Sequence, residues 1–481
     1  MKNALEIVIL AAGLGTRMKS SLPKVLHEVC GEPMLGLLLR EISDAAVNVD
    51  FPCEIRGINI VVGHGRNLVM DRVRALQEAG KVRVPVVFSV QEEQLGTGHA
   101  VKCAIANSGG KSSESGTLAV LNGDLPLFTR EALADFVRAH LGAKSAASLA
   151  STEIANPGSY GRVIRKGGGF QGVVEHEDAT AAQKKIREIN GGVYLLERAT
   201  LLEALGGLSN RNASGEFYLP DVFAFARKKK KKILAHEFAD AGILRGANDM
   251  MELAEAQKIL YARTAAKWMR EGVFLHDPET IRLGPSVRFG KGVAVAPNVE
   301  IAGESVIGDG VKIGSFCRLV DVKIGNRTLI RNGTCAEKSV IGADCAIGPM
   351  AHLRPGTRLA DHVKIGNFAE IKESSIGAHT SVAHLSYVGD AEIGERVNVG
   401  CGFVTCNYDG VTRDGRRKHR TKIGNRVFIG SDSQVIAPIE IADGTYIASG
   451  STVSESVAES DSLVIARAKQ VTKPGYAKKY R

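Results

Sequence analysis

Aromatic side chains are scarce in this chain: they make up 5% of its 481 residues, with a single tryptophan. A β-sandwich core is usually filled by bulky rings, so this scarcity favours an architecture with thin layers and tight corners. Paired cysteines are missing as well. The eight cysteines include no CxxC pair and no spacing of a small disulfide scaffold, which predicts reduced thiols in a cytoplasmic protein. No 18 uncharged apolar residues occur in a row, so no membrane insertion is expected. The N-terminal MKNALEIVIL places a lysine before an apolar run, as a signal peptide does. Glu6 interrupts that run and Arg17 follows closely, which predicts a buried first strand instead. Formal charge is +10, which suits nucleic acid or small anionic substrates. With no basic face interleaved by aromatics, small anions are the expected partners, not nucleic acid. The run Lys228–Lys232 reads as a solvated loop or helix end.

Glycine is plentiful, at 54 residues, and it accompanies a repeat. Ile341, Ile347, Leu353, Leu359, Ile365 and Ile371 fall at every sixth position. The beat also runs through Val295, Ile301, Ile307, Ile313 and Leu319, and through Ile423, Ile429, Val435, Ile441, Ile447 and Val453. Six is neither a helical nor an alternating-strand period. A coil of short strands, with one inward aliphatic on each of three flat faces, produces it. Length and 44% hydrophobic content allow two to four domains with real cores.

Upstream, Glu6–Leu10 is a short apolar strand, followed by LAAGLGTRM (Leu10–Met18) and Pro23–Lys24. Glycines after a strand let backbone N–H groups approach phosphate oxygens, while Arg17 and Lys24 supply charge. A dinucleotide fingerprint fails because Met18 stands where its third glycine belongs. Strands are expected at Ile58–Val62, Val84–Val90 and Leu118–Leu121, with helices at Asn67–Gln77 and His99–Asn107. A polar loop covers Ala106–Gly116, and Asn248–Glu271 has helical spacing suited to a connecting helix. The alternation predicts an α/β, Rossmann-like, doubly wound sheet that binds ligands at the carboxyl ends of its strands. Asp124, in NGD, sits at such an end, where a carboxylate for Mg²⁺ would be needed.

The motifs LAAGLGTRM…PK, EEQLGTGHA (Glu92–Ala100), NGDLP, YGR (Tyr160–Arg162), VEHEDA (Val174–Ala179), EIN (Glu188–Asn190) and GEFYLPD (Gly215–Asp221) together resemble a sugar-1-phosphate nucleotidyltransferase. With the repeats behind them, the chain resembles the bacterial bifunctional N-acetylglucosamine-1-phosphate uridyltransferase/glucosamine-1-phosphate acetyltransferase family over nearly all of residues 5–470. That resemblance implies a uridyltransferase domain over 1–248, a linker helix over 249–274 and a left-handed parallel β-helix acetyltransferase domain with a tail over 275–481. It implies Mg²⁺ as cofactor, UTP and acetyl-CoA as donors, and a homotrimer. Leu10, Ala11, Ala12, Gly13 and Lys24 would hold the nucleotide, and Gln91, Gly96 and Thr97 would read its base. Gly161, Glu175 and Asn190 would hold the sugar, Asp124 and Asn248 the metal, and Arg17 the phosphate charge. Two departures stand near this site: Asn122, where an aromatic is usual before Gly-Asp, and Pro220, where threonine is expected.

Register alone makes a statement about the repeats. Arg354 and Lys372 each follow an inward aliphatic and lie 18 residues apart, so they should stack on one face at about 5 Å. Two cations so placed suit an anion between them, although both could instead spread into solvent. The beat shortens to five at Ile371→Ile376, which puts Tyr387 one coil above Glu370, with His384 at a nearby corner. A histidine beside a carboxylate suits proton abstraction near neutral pH. His352, His362 and His379 crowd the same region, as in a metal-dependent hydratase of the γ-carbonic-anhydrase type. The resemblance of AHLSYVGDAEIGERVNVGCGFVTCNYDG (Ala383–Gly410) favours the acetyltransferase. It implies His384 as general base oriented by Glu370, and Arg354, Lys372, Tyr387, Asn398 and Lys418 around the sugar phosphate. Asn407, Tyr408, Ser431, Ser449, Arg467 and Cys401 would hold acetyl-CoA, with alanine expected at the last. The break in the beat at Phe403–Lys422 predicts an external basic loop that covers a neighbouring subunit's site. A repeat module serving only trimerisation, behind a single nucleotidyl transfer, is the competing reading.

Overall fold

The computed structural model describes residues 3–107, 116–413 and 416–480, so most of the loop expected at Ala106–Gly116 lies outside the described residues. The chain divides into two compact units, Met1–Leu260 and Tyr261–Arg481.

In the first unit the strand Asn3–Ala11 lies between Thr117–Asn122 and Cys53–Val62, parallel to both. The sheet extends through Val86–Val90 on one side and through Glu188–Glu197, Ala147–Glu153 and Ile233–Glu237 on the other. Glu188–Glu197 runs antiparallel to its neighbours. Side-chain alternation along Asn3–Ala11 sends Leu5, Ile7 and Ile9 to one face and Val8 to the other. The first three pack with Leu35, Leu38, Leu39 and Ile42, which recur at helical spacing on α1 (Met34–Val47). Val8 packs with Ala100, Val101 and Ala104, from the helix Thr97–Asn107. Both faces of the sheet are therefore covered, as a doubly wound fold requires. The expected strands and helices form, and Leu10 registers against Asn122, so the Leu10–Gly13 loop and Asp124 leave adjacent strand ends.

The second unit is a stack of strands mostly two to four residues long, in three parallel sheets of 11, 10 and 9 strands. Ile347, Leu353, Ile365, Ile371, Ile429, Val435 and Ile447 all point inward and are fully buried. Coils pair at 18 residues, as Leu353 with Ile371, or at 17 where the beat drops to five, as Glu370 with Tyr387. The glycine after an inward isoleucine is a steric necessity. A Cβ on Gly366 would lie 1.8 Å from the carbonyl oxygen of Ala383 in the next coil. At Phe403–Lys422 the beat breaks, and Tyr408–Arg413 pairs antiparallel with Arg416–Lys418 as an external hairpin. The side chains of Arg413 and Arg416, expected to make that hairpin basic, lie outside the described residues.

Candidate active sites

Upstream, the strand Asn3–Ala11 ends in a loop that holds Gly15 in the left-handed region (φ 62°). A Cβ there would come 2.8 Å from Lys24 Cβ, so the glycine lets the lysine backbone pass. Lys24 Nζ reaches the Asp124 carboxylate and donates to Asn248 Oδ1 at 2.7 Å. Arg17 donates to the same Asn248 oxygen at 2.9 Å and to Ser159 Oγ at 3.0 Å. Four residues expected in this site thus meet in one polar cluster. Tyr160 lies beside it and accepts from Gly246 N at 3.2 Å. Burial, with the charges of Glu252 and Asp124 close by, pushes its phenol up to about 12, so it stays protonated.

Arg17, Thr97, Asp124, Gly161, Glu175, Asn190 and Asn248 line one cleft of about 240 Å³. Gly161 lies against the Glu175 carboxylate, since a Cβ there would be 2.9 Å from Glu175 Oε2 and would push that side chain aside. Asn190 Oδ1 accepts from Gly192 N and from the Tyr194 hydroxyl. Burial raises the Glu175 carboxyl, although the Asn190 amide opposes the shift; Asp221, Asp178 and Glu216 add to it. Asn122, Glu216 and Tyr218 share the cleft. Asn122 departs from its motif, whereas Glu216 and Tyr218 belong to the GEFYLPD motif without having been singled out as site residues.

Gln91 is buried and donates to Gly96 O at 3.1 Å. It borders a second cavity of about 440 Å³, with Leu14, His64 and Arg66. The loop Gly63–Gly65 forms much of that wall, and no charge or motif signalled it. Gly96 (φ 96°) and Thr97 pack against the segment Glu216–Leu219, where Leu219 N donates to Thr97 Oγ1 at 3.0 Å.

Downstream, Arg354 and Lys372 follow the paired residues Leu353 and Ile371, so they occupy adjacent rungs of one face. Arg354 Nη1 donates to Glu370 Oε1 at 2.9 Å. Tyr387 is one coil above Glu370, as expected. The Lys418 ammonium, within hydrogen-bonding reach, depresses the Lys372 amine, and Arg354 deepens the effect. Asn407 is buried and donates to Asp390 and, at 3.4 Å, to Tyr387 Oη, so it belongs with this cationic cluster. His384 is exposed at the turn before Ser386–Gly389, and among the described residues no hydrogen bond joins it to Glu370. The guanidinium of Arg354 claims that carboxylate. Asn398 lies in the neighbouring sheet, paired with Ser381 and Phe428, so a single prism does not bring it onto the Lys372 face.

The residues expected to hold acetyl-CoA separate into two places. Val399, Ile429 and Ile447 stack in register, so Cys401, Ser431 and Ser449, each two residues further on, form a column. Arg467 Nη1 ends that column by donating to Ser449 O at 2.8 Å. Tyr408 is exposed at the root of the hairpin, opposite Lys418. The three histidines do not converge as a group. His362 and His379 stack with ring centroids 4.6 Å apart, whereas His352 pairs with Cys335 and Glu370 in another sheet.

An α/β unit with a glycine loop at a strand end, followed in the chain by a unit of stacked six-residue repeats, defines a two-domain transferase. Family models agree: residues 7–210 match the MobA-like NTP transferase domain, 280–365 the GMPPB C-terminal domain and 420–455 the bacterial transferase hexapeptide. The chain is 41% identical over 473 residues to the bifunctional protein GlmU of Halalkalibacterium halodurans, covering 98% of each. It is 42% identical to those of Pelobacter propionicus and Listeria monocytogenes, covering 98% of this chain and 97% of each relative. The chain belongs to the bifunctional GlmU family, and its repeat unit is a left-handed parallel β-helix.

Proposed function

We propose that the chain carries out two transfers in the synthesis of UDP-N-acetylglucosamine. Acetyl-CoA first acetylates glucosamine-1-phosphate on the β-helix, and UTP then uridylylates the product in the α/β unit. The observation that carries this reading is the presence of two separate cationic clusters, Lys24/Arg17 and Arg354/Lys372/Lys418, each placed by its own fold.

In the uridylyl transfer, a phosphate oxygen of N-acetylglucosamine-1-phosphate attacks the α-phosphorus of UTP and pyrophosphate leaves. Positioning and charge neutralisation carry most of the catalysis. Leu10–Gly13 offers backbone N–H groups to the phosphates, and Gln91, Gly96 and Thr97 frame the base. Gly161, Glu175 and Asn190 hold the sugar. Asp124 and Asn248 fit Mg²⁺, because one cationic group, the Lys24 ammonium, already meets both of their oxygens. Bound there, the ion would neutralise phosphate charge. Lys24 and Arg17 are then free to bind the phosphates.

In the acetyl transfer, His384 takes a proton from the 2-amino group as its nitrogen attacks the thioester carbonyl. The carbon–sulfur bond breaks, and the CoA thiolate takes up a proton on leaving. Lys372, Lys418 and Arg354 grip the phosphate, with Glu370 holding Arg354 in place. Tyr387 and Asn407 shape the sugar side, and Cys401, Ser431, Ser449 and Arg467 offer a ledge for acetyl-CoA. A homotrimer would bring Asn398 and Tyr408 of one subunit toward the Lys372 face of another. Exposed Phe316, Met350, Phe368 and Leu385 supply apolar surface for that assembly. Eight free cysteines fit the cytoplasm. Among the described residues no helix is long and apolar enough to cross a membrane.

The test supplies purified protein with acetyl-CoA, glucosamine-1-phosphate, UTP and Mg²⁺, and follows CoA and pyrophosphate separately. Both products should appear, with CoA released before pyrophosphate. Pyrophosphate release from supplied N-acetylglucosamine-1-phosphate, with no CoA release, would contradict the second activity.

A further inference from the structure

Asn248 is gripped from both ends of its amide. Its Oδ1 accepts from Lys24 Nζ at 2.7 Å and from Arg17 Nη2 at 2.9 Å. At the opposite end, Glu252 Oε2 accepts from Asn248 Nδ2 at 2.9 Å and from Asn248 N at 2.7 Å. Glu252 stands in the first turn of the helix Met250–Arg270, one turn beyond the asparagine. That turn has its own cap: Asp249 Oδ1 accepts from Met251 N and Glu252 N, both at 2.9 Å.

The two ends of a carboxamide are nearly the same in shape, and only their hydrogen-bond partners fix which way round they sit. An ionised carboxylate accepts and never donates, so Glu252 can engage only the NH₂ end. That leaves the oxygen facing Asp124. Lys24 and Arg17 reinforce this orientation while they remain on Asn248. Once they move to the phosphates of a nucleotide, Glu252 is the remaining group that distinguishes the two ends. We propose that Glu252 is a positioning residue of the uridylyl site, which holds the Asn248 amide so that its oxygen, not its NH₂, meets the divalent cation. This inference rests on the assignment of Asp124 and Asn248 as the metal pair. The competing role is structural, with Glu252 acting only as a negative charge at a helix N-terminus.

The experiment uses the full chain and three variants of this residue, with Asp124→Asn as reference. Binding of Mn²⁺ in the presence of UTP is read by the electron paramagnetic resonance of the free ion. Glu252→Ala should weaken Mn²⁺ about tenfold, the low end for a group behind a metal ligand. Glu252→Gln, which still presents an accepting oxygen, should stay within about threefold of the parent. Glu252→Asp keeps the helix charge but is too short to reach both donors, so it should behave like the alanine variant. Acetyl transfer and thermal melting, measured on the same samples, report integrity of the fold. Loss of Mn²⁺ binding in Asp124→Asn, with Glu252→Ala and Glu252→Asp both at the parent value, would overturn the inference alone. Undiminished binding in Asp124→Asn as well would overturn the metal assignment beneath it.

Discussion

Replacing Lys372 with methionine should make the repeat unit more stable and the acetyltransferase worse. Lys372 and Lys418 face each other within hydrogen-bonding reach, with Arg354 on the adjacent rung adding to the crowding and the Asp390 carboxylate offsetting part of it. Two unit charges about 4 Å apart repel by about 1 kcal/mol in water. Lys418 is exposed and Lys372 only half-buried, so a value near that in water applies and the low-dielectric value does not. Methionine keeps the stem and removes the charge. Relief of about 1 kcal/mol should raise the melting temperature of the second unit by roughly 2–4 °C at low salt, and less at high salt, where the repulsion is screened. Glucosamine-1-phosphate loses one charge-assisted hydrogen bond, worth about 2 kcal/mol, so its KM should rise roughly thirtyfold. Inorganic phosphate supplies a further check, because it should raise the melting temperature of the parent more than that of the variant. Calorimetry and a CoA-release assay read these outcomes. A lower melting temperature with an unchanged KM would refute the phosphate clamp and make Lys372 an ordinary surface residue.

Two further perturbations address the other features. Burial raises the Glu175 carboxyl, so its proton is bound more tightly in the folded chain than in the unfolded one. Stability from this group is therefore present at low pH and lost as pH rises from the ordinary 4.5 through the raised value. Sugar binding runs the opposite way: KM for N-acetylglucosamine-1-phosphate should climb as mild acid protonates the carboxylate, and Glu175→Gln should flatten that limb; a parent-like acid limb in the variant would exclude Glu175. Gly366→Ala forces a methyl into the carbonyl of Ala383, beside His384, and should cost about 3 kcal/mol of stability in the second unit. Acetyl transfer should fall with it while uridylyl transfer persists; an unshifted melting curve would refute the close approach of the two coils.

Much of the fold was legible because its signals are local or periodic. Six-residue spacing of Ile341 to Ile371 fixes which side chains point inward, and register then places Arg354 beside Lys372 without knowledge of handedness. The strand–glycine–helix order does the same for Leu10–Gly13 and Asp124. What stayed hidden depends on rotamers and on contacts between distant loops. Glu370 accepts from Arg354 through Oε1, a pairing set by the rotamers of both side chains. Asn407 and Cys401 lie six residues apart, yet one turns toward Asp390 while the other starts a column with Ser431. The hairpin between Tyr408 and Lys418 breaks the beat that would have related them. Glu216 and Tyr218 line the cleft of about 240 Å³ on a segment packed against Gly96 and Thr97, and neither spacing nor charge predicts that packing.

The central claim is that one chain holds two chemically independent sites, and a double assay of two variants tests it most directly. CoA and pyrophosphate release are measured for His384→Ala and Asp124→Ala, with N-acetylglucosamine-1-phosphate supplied for the second reaction. The first variant should lose CoA release by at least about a hundredfold and keep pyrophosphate release, since a general base contributes about 10²–10⁴. Asp124→Ala should show the reverse. Folded variants in which both activities fall together would contradict the account.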